Sequence, residues 1–178
     1  MAESYNSDDV WNLVEDHLVR ALQADKKLKA GGALAVKTWE KELPEDAGVY
    51  QQNLLPAVAV EVVAQTAEEE IGYPDRVRQR YQAVIAAVVT GGELGQVKER
   101  AKRLAARIIR TLQHQHHPAC QLDNLPAAVE GAEAGSVVVS LMTAEVGGGR
   151  LASGGGLRGI AEITCEVGLD VITPGAES

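Results

Sequence analysis

Phenylalanine is absent from all 178 residues, and aromatic side chains come to two tryptophans and four tyrosines. Any core must therefore be packed with Val, Ala, Leu and Ile. Cysteine is almost as scarce. Cys120 and Cys165 are too few for a disulfide scaffold. No apolar run reaches the ~20 residues that a membrane-crossing helix needs. The start, MAESYNSDDV, is polar and acidic and lacks the basic-then-apolar order of a signal peptide, so synthesis in a cytoplasm is expected. No spacing supports a Ser/His/Asp catalytic set. No spacing supports a site at Asp16 with His17 or at Glu68-Glu69-Glu70, and that acidic run reads as a solvated turn. Net positive charge is lacking too: the formal charge is −8, which argues against a dedicated nucleic-acid binder.

What is present is 46% hydrophobic sequence in a length suited to one domain spanning 1–178, with 1–7 and 173–178 as fraying ends. The organising stretch is Glu93 to His114, ELGQVKERAKRLAARIIRTLQH. Leu94, Val97, Ala101, Leu104, Ala105, Ile108 and Leu112 recur at spacings of three and four and share one helix face. Arg100, Arg103, Arg107, Arg110 and His114 recur on nearly the opposite face. Gly91-Gly92 before the stretch and Pro118 after it are natural boundaries. An apolar helix face needs a partner, and the strand-like sequence on both sides predicts a sheet beneath it.

Along the chain, Ser7 can cap a first helix with Asp8 and Asp9 in its first turn. Val10, Leu13, Val14, Leu18, Ala21 and Leu22 form its apolar face, and it is expected to run to about Lys27. Ala33 to Glu42 reads as a strand and Leu43 to Asn53 as a loop. Pro56 opens AVAVEVVAQT, with Val58, Val60 and Val62 on one side. Val77 to Val89 reads as a third strand: Tyr81, Ala83, Ile85 and Ala87 share a face, and Arg76, Arg78 and Arg80 lie opposite. Ser136 to Ala144 is a further strand, and Gly147–Gly156 (GGGRLASGGG) a glycine-rich loop. In Leu157 to Val171, apolar Ala161, Ile163, Cys165, Val167 and Leu169 alternate with Arg158, Glu162, Thr164, Glu166 and Asp170. The expected fold is α+β, in the order α-β-β-β-α-β-β. An antiparallel or mixed sheet of about five strands carries two main helices.

Three features invite a functional reading. His114, His116, His117 and Cys120 have metal-ligand chemistry, but zinc sites usually present two separated pairs, so a histidine-rich helix end with no metal is the expectation. The loop holding Gly147, Arg150, Gly154 and Gly156 lacks the Lys-Ser/Thr of a phosphate loop and precedes a strand, so it reads as a hairpin loop able to order against a neighbour. The arginine stripe is the strongest. Residues 93–110 carry six basic and two acidic side chains, a local +4 that leaves −12 for the remainder. Contact between unlike patches of separate copies is head-to-tail, and such contacts close into rings when the rotation allows. Arg100, Arg103, Arg107 and Arg110 are thus expected at a subunit interface, and reversing Arg103 and Arg107 is expected to weaken assembly while leaving the monomer folded. Two other classes stay open: a nucleic-acid-associated adaptor using the stripe, and a metal-dependent hydrolase using the histidine cluster.

Over about residues 8–172 the chain resembles the tail terminator, or tail completion, proteins of long-tailed bacteriophages, and is similar in particular to small tail proteins of Mu-like phages and prophages. The resemblance rests on element order and on the segments DDVWNLVEDHLVRAL, LLPAVAVEVV, VKERAKRLAARIIRTL and GIAEITCEVGLDVIT. It implies a non-enzymatic virion protein without cofactors, assembled in the host cytoplasm. Such proteins form a ring, commonly of six subunits, on the end of the tail tube. The ring ends tube polymerisation, offers a docking surface to the head or neck connector, and passes DNA through its lumen.

Overall fold

The computed structural model describes residues 10–44, 50–69, 75–113, 124–151 and 156–172. Helix α1 spans Val10–Gln23, strand β1 Thr38–Glu40, β2 Ala57–Glu69, β3 Arg76–Gly91, helix α2 Leu94–Gln113, a one-turn α3 Leu125–Ala128, β4 Val138–Leu151 and β5 Leu157–Ile172. The five strands make one sheet in the order β1-β2-β3-β5-β4. β1 runs parallel to β2, and every other neighbour is antiparallel, so the sheet is mixed. This is the α+β arrangement expected, with the short α3 added.

Both helices lie on one face of the sheet. From α1, Val14, Leu18 and Leu22 are fully buried; from α2, Val97, Ala101, Leu104, Ile108 and Leu112 are. Beneath them sit Val58, Val60, Tyr81, Ala83, Ile85, Ile163, Cys165 and Leu169. Each fully buried Leu or Ile here contributes about 1.5–3 kcal/mol of transfer free energy. The core is aliphatic, and Tyr81 is its one fully buried aromatic side chain among the described residues. β3 and β5 pair along their whole lengths, from Arg76 opposite Ile172 to Gly91 opposite Leu157. The length of β5 is thus matched by its neighbour and does not project.

α2 sits very close to the sheet at one point. A Cβ on Gly159 of β5 would lie 2.4 Å from Val97 Cγ1 of α2. Only a glycine lets the helix descend there. Leu94, expected on the buried stripe, is 45% exposed, because the first turn precedes the contact that begins at Val97.

Several boundaries differ from expectation for local reasons. Ser7 lies outside the described residues. α1 ends at Gln23, short of Lys27, because Asp25 takes over the backbone: its Oδ1 accepts from Lys27 N–H at 2.8 Å and from Leu28 N–H at 3.3 Å. The first strand is only Thr38–Glu40, since Leu34 and Val36 donate back to the carbonyls of Lys27 and Leu28. Within Leu43–Asn53, a short 3-10 turn begins at Gln52. The glycine-rich segment departs most. Gly147 to Leu151 continue β4 and pair with Ile160 to Leu157, with register shifts at Leu141/Thr143 and Gly148/Arg150. Ladder hydrogen bonds need no side chain, and β5 offers a continuous 16-residue template for them. Gly147 and Arg150 are therefore strand residues, Gly156 turns at φ 86° just before β5, and Gly154 lies outside the described residues.

The helix-free face of the sheet is laced by ion pairs. The Arg78 guanidinium donates to both Asp170 oxygens, at 2.7 and 3.2 Å. Arg80 bridges Glu68 on β2 at 2.8 Å and Glu166 on β5 at 3.3 Å. The arginines expected opposite the core are placed there, each with a counter-charge. Arg158 is a correction. Expected on the wet face, it is 3% exposed, and it donates to Thr90 Oγ1 at 2.7 Å and to the Tyr50 carbonyl at 3.3 Å. The returning chain at Tyr50 and Leu55 packs against Ala57 and Val88 and covers that end of the sheet.

Candidate assembly surfaces

The four arginines of the α2 stripe share a helix face but not a role. Arg107 is held inside the molecule. Its Nε donates to Asp25 Oδ1 at 3.0 Å and its Nη2 to Oδ2 at 2.5 Å, and the Asp25 side chain is 7% exposed. The Thr111 hydroxyl, one turn on, lies 2.8 Å from the same Oδ2. Burial pulls the Asp25 pKa upward, but the bonds from Arg107, Lys27 and Thr111, with the charge of Arg107, outweigh it and hold the carboxyl below its ordinary value. The expectation that Arg107 can be reversed with the monomer left folded is thereby overturned. A glutamate there would face the nearly buried Asp25.

The other three point outward. Arg100 is exposed, yet its Nη1 donates to the Thr90 carbonyl at 2.8 Å, which anchors it over the end of β3. Arg103 is 69% exposed and pairs only with Glu99, one turn back on the same helix. Arg110 is exposed with no ion pair among the described residues, as are Lys98 and Lys102. The outward cationic set is therefore Lys98, Arg100, Lys102, Arg103 and Arg110. Lys98 and Lys102 fall outside the i, i+3, i+4 arginine stripe, on the other flank of the outward surface.

Beside this face, between the turn after α1, the start of β2 and the N-terminal half of α2, lies a cavity of about 910 Å³. Lys37, Arg100 and Arg103 line it with Leu34, Leu55 and Leu104. Nothing local in the sequence signals it, because its walls come from segments that only the fold assembles.

The other candidates resolve simply. His114, His116, His117 and Cys120 lie outside the described residues, and among those described no cluster of three His, Cys, Asp or Glu is placed to hold a metal. Asp16 pairs with Lys41 at 3.0 Å, and the His17 ring donates to the Leu13 carbonyl at 2.8 Å. Among the described residues no helix is long and apolar enough to cross a membrane. Comparison with protein-family models gives no match, and comparison with curated proteins gives none either.

Proposed function

We propose that this chain is a non-catalytic structural protein that forms a ring, of six copies, on the end of a phage tail tube. In this reading the ring stops tube growth, presents a surface to the head or neck connector, and lets DNA pass through its lumen. Its partners are further copies of itself, the tube protein and the connector, and its place is the virion tail. The observation that carries the reading is the division of charge on α2. One face of the helix is sealed into an aliphatic core, and the opposite face holds Lys98, Lys102, Arg103 and Arg110 in solvent on a chain whose remainder is strongly acidic. A mainly cationic outer face, in which Glu99 offsets only Arg103, attracts the acidic surface of a neighbouring copy. An acidic lumen would let DNA slide without sticking.

Arg103→Glu with Arg110→Glu tests the interface without touching the Arg107–Asp25 pair. The expected result is loss of the assembled species in sedimentation, with an unchanged thermal melt. The exposed basic face also favours a nucleic-acid-associated adaptor as the second reading, which requires DNA affinity that falls steeply with salt.

A further inference from the structure

We infer that the cavity beside α2 is a binding site for a small phosphate ester, a phosphate group carried on a short saturated body. The inference does not depend on the ring reading, because every wall of the cavity comes from one copy.

One half of the cavity is cationic. Lys37 and Arg100 line it, and among the described residues no carboxylate does. Arg103 lines it too, but Glu99 already offsets that charge, so it is not counted. Lys37 has no ion pair among the described residues. Arg100 is held in place, since its Nη1 donates to the Thr90 carbonyl at 2.8 Å, and the rest of its donor fork is left for a ligand.

A second observation gives this region a charge that it does not balance. Behind Thr90, Arg158 is 3% exposed and has no carboxylate partner among the described residues. Its terminal nitrogens donate to Thr90 Oγ1 and to the Tyr50 carbonyl, and its buried Nε has no partner among those residues. A buried cation without a counter-charge is costly. An anion just beyond Thr90, in the cavity that Thr90 lines, lowers that cost through a poorly screened path.

The rest of the lining selects what carries the charge. Leu34, Leu55 and Leu104 form an aliphatic wall, and no aromatic side chain is among them. A nucleobase would have nothing to stack on. At about 910 Å³ the cavity falls within the ~300–1,000 Å³ of small-ligand sites. The donors arrive from separate segments, Lys37 just before β1 and Arg100 on α2, with the amides of Gln52 and Asn53 on the turn between. A phosphate group, with three strong acceptor oxygens spread in space, meets such donors better than the two coplanar oxygens of a carboxylate.

The test is isothermal titration of the full chain with monobutyl phosphate and with inorganic phosphate, at an ionic strength fixed with chloride. Both are expected to bind saturably, and the ester several-fold more tightly because its chain meets the leucines. Lys37→Gln and Arg100→Gln are each expected to weaken binding of the ester about tenfold, through loss of one charge-assisted contact. Lys26→Gln, exposed and outside the lining, is the unchanged control. Arg100→Gln also loses the bond to Thr90, so a thermal melt accompanies each variant, and the exposed Lys37 decides the matter if Arg100→Gln is unfolded. Heat that never saturates, or ester binding that Lys37→Gln leaves unchanged, overturns the site. An ester held no more tightly than inorganic phosphate overturns the ligand class. A short single-stranded DNA that binds more tightly than the ester, and weakens in the same variants, overturns the small-ligand assignment in favour of the nucleic-acid reading.

Discussion

Arg107 and Asp25, 82 positions apart in the chain, meet in a two-point ion pair where the turn after α1 touches the back of α2. The pair welds the two helices to each other at the edge of their shared core. Removing one partner of such a pair leaves the other charge poorly solvated, which costs about 3–5 kcal/mol. Arg107→Ala is therefore expected to lower the urea midpoint by that order. Arg103→Ala, which loses only an exposed pair with Glu99, is expected to change stability by less than about 1 kcal/mol. Equal effects of the two substitutions would contradict the division of the stripe into an inner and an outer part.

Two buried carboxylates pull the acid response in opposite directions. The folded pKa of Asp25 is depressed, so its contribution is fully present above its unfolded value and is lost as pH falls through the folded value. Glu15, 7% exposed on α1, is the reverse. Burial raises its pKa although its Oε1 accepts from Val62 N–H at 2.8 Å. Its charged form penalises the fold at neutral pH, and the penalty is relieved as pH drops through the raised value. In urea melts between neutral pH and acid, Asp25→Asn should be less stable than wild type at neutral pH and converge with it in acid. Glu15→Gln keeps an acceptor for Val62 and should lose ground to wild type as the pH falls. Parallel pH profiles for all three proteins would refute both assignments.

The close approach of α2 to the sheet predicts a suppressor pair. Gly159→Ala places a methyl group 2.4 Å from Val97 Cγ1, and overpacking of this kind costs about 1–3 kcal/mol. Val97→Ala alone leaves a void and also destabilises. The double variant should be more stable than the sum of the two losses implies, because each change makes room for the other. Strict additivity in chemical denaturation would place the helix farther from β5 than described.

The parts of this fold that could be read in advance are those written in local periodicity. The buried stripe from Val97 to Leu112 and the alternation from Ala161 to Val171 each follow from the repeat of their own element, and the structure buries them as expected. What could not be read depends on distant chain. Arg107 looks like its neighbours on the stripe until Asp25 arrives from the end of α1. Arg158 fits the wet phase of β5, yet the chain at Tyr50 folds over it. Gly147 to Leu151 carry loop composition, yet pair as strand because β5 runs beside them. The cavity draws on three separate segments, so no window of sequence contains it. The outward cations were legible as a group, and only packing sorted the free ones from the one already paired.

The mass of the purified chain in solution tests the central claim most directly. Measured at low and then moderate salt, it should be a discrete multiple of 18.9 kDa at low salt, with dissociation as salt screens the α2 face. The multiple expected for the proposed ring is six, and Arg103→Glu with Arg110→Glu should reduce it to the monomer under the same conditions. A monomer mass at every salt and concentration would contradict self-assembly through this face.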